Sequence, residues 1–278
     1  MMRAMYSAIS GLRSHQMMMD VAANDLANVN TLGYKSSRVT FADSLSQSME
    51  RGATAAGASG GGSNAAQIGL GVRLSSIDVL MGGGALQSTG NQLDMAIAGD
   101  GWFRVTNQLG GPIMYQRAGN FSLNSNGDLV TQEGYIVIGR GYTAGPPPVP
   151  GATDQVINIP ADATNVSVGQ DGLVSYHDGA GVRQYAGYVT VAQFSNENGL
   201  IRQGGSRWNT SPSSGNEEVG TPSVGSYGTL IAGTVEMSNV DMASQFTNLI
   251  TAQRGFQASS RVISTADEML SELVRIAR

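Results

Sequence analysis

The sequence predicts an α+β protein: long N- and C-terminal helices pair as a coiled coil and enclose an inserted all-β domain. Three observations carry this. Apolar residues recur at alternating spacings of four and three at both ends of the chain, the period drops to two in the middle, and Gly reaches 38 of 278 residues with turn signals closely spaced.

At the N-terminal end Met5, Ile9, Leu12, Gln16, Met19, Ala23 and Leu26 fall on one helical seam across residues 2–28. Gly11 is a mild penalty to that helix, and the Asn/Gly-containing stretch 28–33 supplies its end signal. At the other end Met242, Phe246, Leu249, Gln253, Phe256, Ile263, Leu270 and Val274 recur in the same manner, with Asn239 or Asp241 as the helix cap. A solitary amphipathic helix cannot bury its stripe, so each needs a partner. The two can satisfy each other as a stalk on a monomer, or serve a polymer; Met-rich, polar remaining surfaces suit the second arrangement, and periodicity does not choose between them.

The chain divides by this reading into an N-terminal helix (1–30), an extended linker with a Gly-rich loop (31–75), a β-rich outer domain (76–234) and a C-terminal helix (235–278). Gly60-Gly61-Gly62 marks the low-complexity part of the linker, read equally as slack between layers or as a disordered loop. In the β region Val166-Val168 and Val189-Val191 show the two-residue period, and Asn126-Gly127 and Asp171-Gly172 are strong hairpin turns. Pro146 to Pro148 belong in a loop between β segments, because proline cannot donate to a central ladder.

Composition narrows function. Charged residues are 13% and the net charge is -5, with no cluster of basic residues among aromatics, so nucleic acid is not an expected partner. The absence of Cys removes disulfides, thiolate metal sites and Cys nucleophiles. Polar residues interrupt the N-terminal segment, so no Sec-type signal peptide is read there, and export is expected to use a route without a cleaved signal. No run approaches the roughly 18 apolar residues of a membrane span.

Candidate chemistry is sparse. His15 and His177 are the only histidines, too few for a triad or a zinc site. Gly69-x-Gly71 lacks the third glycine of a dinucleotide fingerprint, and Asn124, Asn126 and Asp128 lack the closing Glu of a calcium loop. Asp94, Asp100 and Glu133 could pair as glycosidase acids, and Trp102 and Trp208 are the only tryptophans available to stack a sugar. A secreted β-rich hydrolase or adhesin is therefore the reading from a different class. No catalytic residue, metal, cofactor or small-molecule substrate is expected.

Three segments carry a resemblance. SGLRSHQMMMDVAANDLANVNTLGYKSSRVTF (residues 10–41) is similar to the N-terminal signature of flagellar rod and hook proteins, on Asn24, Leu26, Ala27, Asn28, Asn30, Thr31, Gly33, Tyr34 and Lys35. LDMAIAGDGWFRV (residues 93–105), with Asp94, Gly99 and Gly101, resembles a second mark of that family at the start of its β domain. VEMSNVDMASQFTNLITAQRGFQASSRVISTADEMLSELV (residues 235–274) resembles its C-terminal helix. RSHQMMMD, KSSRVTF, GGSNAAQIGLGV and ADEMLSELVRIAR look closer to a hook protein, of a short form without an additional outer domain, than to a distal rod protein.

The resemblance implies a structural subunit exported through the flagellar type III apparatus and polymerising with itself, its terminal helices lining a channel. Rod, hook-cap and hook–filament junction proteins are the implied neighbours. Met5, Ile9, Leu12, Met19 and Leu26 would then pack against Phe246, Leu249, Phe256, Ile263 and Leu270 in the inner tube.

Overall fold

The computed structural model describes residues 2–50, 64–143 and 149–276. The triple glycine at 60–62 and the triple proline at 146–148 lie outside the described residues. The chain forms an α+β fold in two compact units: Met1–Ala27, Ser37–Val79 and Asp241–Arg278 make the first, and Asn28–Ser36 with Leu80–Val240 the second. Residues 37–75 of the expected linker, with 76–79 of the expected β-rich domain, group with the helical unit, and most of their described length is paired strand.

In the helical unit α1 spans Met2–Ala27 and α2 spans Met242–Ile276. Asp241 caps α2: its carboxylate accepts the Ala243 N–H at 2.9 Å and its carbonyl the Gln245 N–H at 3.0 Å. The helices are antiparallel. The Gln245 amide donates to Asp25 at 3.3 Å, His15 lies against Gly255, and Ser259 Oγ lies 3.1 Å from where a Cβ on Gly11 would stand. A Cβ on Gly255 would strike the His15 ring, so the helices approach through notches at two glycines.

The seam departs from the predicted stripe on α1 and keeps Leu249, Phe256, Ile263 and Leu270 of the predicted stripe on α2. Ala8, Gly11, His15, Met18, Ala22 and Asp25 of α1 face Gln245, Leu249, Ala252, Phe256, Ser259, Ile263, Ala266 and Leu270 of α2, each set stepping by four and three. Gly11 and Gly255 allow the close approach, and Met5, Ile9, Leu12, Met19 and Leu26 sit half-buried beside the seam. Gln16, Ala23 and Gln253 are exposed. Phe246 and Val274 are 50% and 64% exposed. In this register Met2 lies opposite Glu268, so α2 runs on past α1 and Val274 has no α1 residue to cover it.

A β-ribbon completes this unit. Ser37–Asp43 runs antiparallel to Val72–Val79, and Ser46–Glu50 to Ala66–Gly69. The Asp25 carboxylate accepts the Ser37 N–H at 3.0 Å, and Ser10 Oγ accepts that of Val72 at 3.2 Å. A side chain on Gly71 would overlap Ser10, which gives the glycine of the Gly69-x-Gly71 pair a packing reason.

The second unit is β-rich, its largest sheet having 13 strands among the described residues. Its centre is the strand Trp102–Thr106, every residue of which is buried. That strand pairs with Ile113–Gln116, with Ile136–Thr143 and with Val191–Gln193. Met95, Ile97, Phe103, Val105, Phe121, Leu129, Val137, Ile157, Val189 and Leu230 fill the core. The predicted hairpins form at Asn126-Gly127 and Asp171-Gly172, with Gly127 at φ +83° and Gly172 at φ +84°. Asn124 Oδ1 accepts the Asn126 and Asp128 N–H groups, and the Asn124 and Asn158 amides donate to the Asp128 carboxylate, so these residues build a turn.

Candidate functional site: a buried polar lock after the first helix

The Gly33-Tyr34-Lys35 step belongs wholly to the β unit, and the structure gives each residue a task. Gly33 takes φ +64°, and a Cβ there would stand 2.5 Å from the Ala118 nitrogen, so the position has no room for a side chain. Its N–H donates to the Glu236 carbonyl at 2.9 Å. Tyr34 lies under Arg202, whose guanidinium sits 4.9 Å from its ring and 5.0 Å from that of Trp208. Arg202 also donates to the Tyr34 hydroxyl at 3.3 Å and to the Lys35 carbonyl.

Lys35 is 1% exposed. Its Nζ donates to Glu236 Oε1 at 2.6 Å and to the Gly82 carbonyl at 3.0 Å, and Arg117 lies 3.5 Å from the other Glu236 oxygen. Burial lowers the Lys35 pKa from its ordinary value, against the pull of Glu236 in the opposite direction. The Gly84 N–H adds a donor to Glu236 Oε1 at 2.9 Å. Removing either member of the Lys35–Glu236 pair would leave a charge in the interior.

A second polar cluster lies on the central strand. Arg104, 2% exposed, donates to Asp154 at 2.8 Å and to Glu217 at 3.1 Å, and the Tyr115 hydroxyl donates to Glu217 at 2.8 Å. Burial, with Glu217 nearby, pushes the Tyr115 hydroxyl well above its usual range. The hydrogen bond from Arg104 holds the Asp154 carboxyl below its ordinary value.

Two of the carboxylates considered for catalysis, those of Asp94 and Glu133, are engaged by neighbouring side chains. Asp94 accepts from Thr89 at 2.6 Å and Asn91 at 3.2 Å, Glu133 pairs with Arg207 at 2.7 Å, and the Asp100 carbonyl accepts the Gly228 N–H at 2.9 Å. Asp100 stands between Gly99 at φ +111° and Gly101 at φ +140°, a turn leading into the central strand. Trp102 and Trp208 are buried against each other edge to face at 5.7 Å, which removes both as sugar platforms. His15 and His177 lie in different units.

Asn24 lies in the last turns of α1, whereas Asn28 and Asn30 open the segment that enters the β unit, where the Thr31 hydroxyl donates to Asn28 Oδ1 at 3.0 Å. Glu236, Arg117 and Arg202 belong to the lock but are not singled out by sequence pattern, and Asn239, expected as one of two candidate helix caps, has its side chain bonded to the Ser36 N–H and to the Leu80 and Gly82 carbonyls instead. Glu236 and Asn239 stand inside the third sequence mark, and a carboxylate directly after Val235 at the end of a short strand was the available signal.

The described residues thus comprise a pair of terminal helices with a β-ribbon and a separate β-rich unit that holds a buried polar lock. The sequence matches the family model for the flagella basal body rod protein at residues 5–35, for the flagellar hook protein FlgE/F/G D1 domain at residues 96–176, and for the flagellar basal body rod FlgEFG protein C-terminal region at residues 231–276. The chain is 45% identical to the flagellar basal-body rod protein FlgG of Bacillus subtilis over the full length of both. It is 39% identical to that of Agrobacterium fabrum over 97% of each. The flagellar hook protein FlgE of Borreliella burgdorferi is 25% identical, over 99% of this chain and 100% of the hook protein. The chain belongs to the flagellar rod and hook axial protein family.

Proposed function

We propose that the chain is a structural subunit of the distal rod of the flagellar basal body, polymerising with copies of itself and having no catalytic role. The observation that carries the rod over the hook is the 45% identity to a rod protein across the whole of both chains, against 25% to a hook protein that aligns only across 443 positions. The segments that look hook-like are drawn mostly from the terminal regions, and short matches there weigh less than agreement along the whole chain.

The exposed apolar residues of the helices fit this reading. Met242, Phe246, Ile250, Met269, Leu273 and Val274 of α2, with Met2 and Tyr6 of α1, are each at least 49% exposed, which suits burial against neighbouring copies. Other rod components and the flagellar type III export apparatus are the further partners we assign.

Electron microscopy of basal bodies from a strain lacking the gene tests the assignment. A truncated rod is the expected result, and a complete rod without a hook would return the chain to the hook reading.

A further inference from the structure

The chain crosses between its units at 27/28, 36/37, 79/80 and 240/241. Segments that end at these crossings are tied together inside the β unit by Asn239. Its Oδ1 accepts the Ser36 N–H at 2.7 Å, and its amide donates to the carbonyls of Leu80 at 2.7 Å and Gly82 at 3.0 Å. The Asn239 backbone N–H donates to the Tyr34 carbonyl at 3.3 Å, and the Leu80 N–H to the Ser36 carbonyl at 2.9 Å. Lys35 Nζ reaches the same Gly82 carbonyl, and Glu236 joins Lys35 to Gly84. Residues 34–36, 80–84 and 236–239 therefore form one hydrogen-bonded knot.

We propose that Asn239, together with Lys35 and Glu236, is a mechanical clamp that passes load between the chain's entry and exit segments without loading the β core. The connectivity supplies the reason. Tension on the two termini, once the helix pair has parted, enters the β unit at residues 28 and 240. The segments adjoining those points are bonded directly to each other, by Gly33 N–H to the Glu236 carbonyl at 2.9 Å and by Asn239 to Tyr34 and Ser36. Residues 85–235 lie off that path until the knot breaks. Short, directional bonds resist displacement over a small distance, whereas apolar burial is non-directional and yields gradually. The clamp's use in a rod under torque rests on the proposed function; the clamp itself does not.

The test holds the full chain by its termini at constant force and times the step that releases the β unit. Asn239→Ala leaves the Ser36 N–H and the Leu80 and Gly82 carbonyls without this partner, and should shorten the lifetime roughly ten- to a hundredfold. Leu129→Ala, a core change at a residue 1% exposed, should leave that lifetime near wild type even though it lowers stability to denaturant. Should Asn239→Ala fail to fold, Asn239→Asp keeps the acceptor for Ser36 and removes both amide donors, and an intermediate lifetime is expected. Equal shortening by the core and clamp variants, or no shortening by either clamp variant, would overturn the proposal. The measurement needs no polymer, so its failure leaves the rod assignment standing.

Discussion

The two units bury their residues in opposite ways. All five residues of the strand Trp102–Thr106 are buried, whereas the 35-residue α2 fully buries only Ala252 and Ala266. The β unit has a filled apolar core; the helical unit has a single seam of small, polar and half-buried apolar residues, and further large apolar side chains such as Phe246 and Val274 stay exposed. Helical stability in proteins comes mostly from packing an apolar face, so the β unit is equipped to fold by itself while the helices retain surface for partners. The contrast separates a stability element from an assembly element within one chain.

The largest expected effect falls on the β unit. Lys35→Met leaves Glu236 buried without its 2.6 Å partner and should cost about 3–5 kcal/mol, read by denaturant unfolding. A Glu236→Gln change added to it should restore part of the loss, because the amide carries no charge while its oxygen can still accept from Arg117 or the Gly84 N–H. No loss in the single variant would mean that the lock does not stabilise the unit.

Gly255→Leu comes next. The new side chain would meet the His15 ring, and overpacking of this kind costs about 1–3 kcal/mol. The expected outcome is reduced helical circular dichroism with the β unit's unfolding midpoint unchanged. A shared shift of both would show that the units do not separate energetically.

Phe246→Asp should change monomer stability by less than about 0.5 kcal/mol, since the residue is 50% exposed, and yet prevent rod assembly in cells. Phe256→Asp, in the seam, should disturb the helix pair in the isolated chain as well as assembly. Normal filaments from the Phe246 variant would remove this face from the assembly surface.

The smallest effect is a pH dependence. The folded-state pKa of Asp154 is lowered from 3.8 by the hydrogen bond from Arg104, so its contribution to stability is present above that ordinary value and is lost as pH falls through the lowered one. Asp154 is 40% exposed, so solvent screening keeps the contribution small. Arg104→Gln should remove this acid-range component from the unfolding curve, alongside its larger pH-independent cost; an unchanged acid limb would contradict the assignment.

Much of the fold was legible because it rests on short-range periodicity. The stepping of α2 and the hairpins at Gly127 and Gly172 follow from residues adjacent in sequence. The seam register was not legible, because His15 and Ser259 pack into notches at glycines on the opposite helix, which a search for large apolar residues passes over. The strand at residues 37–43 and residues 72–75 of its partner strand fall inside the expected linker because exposed apolar residues such as Phe41 and Val72 resemble neither a core strand nor a helix stripe. Lys35 was recognised by resemblance, but its partner Glu236 lies 201 residues away, a separation that single-sequence patterns do not bridge.

Hydrogen exchange on the isolated full chain tests the contrast between the units most directly. The account predicts strong protection along Trp102–Thr106 and Ile136–Thr143, and fast exchange through α1 and α2. Helices protected as strongly as those strands in the isolated chain would contradict it, since they would then need no partner to be stable.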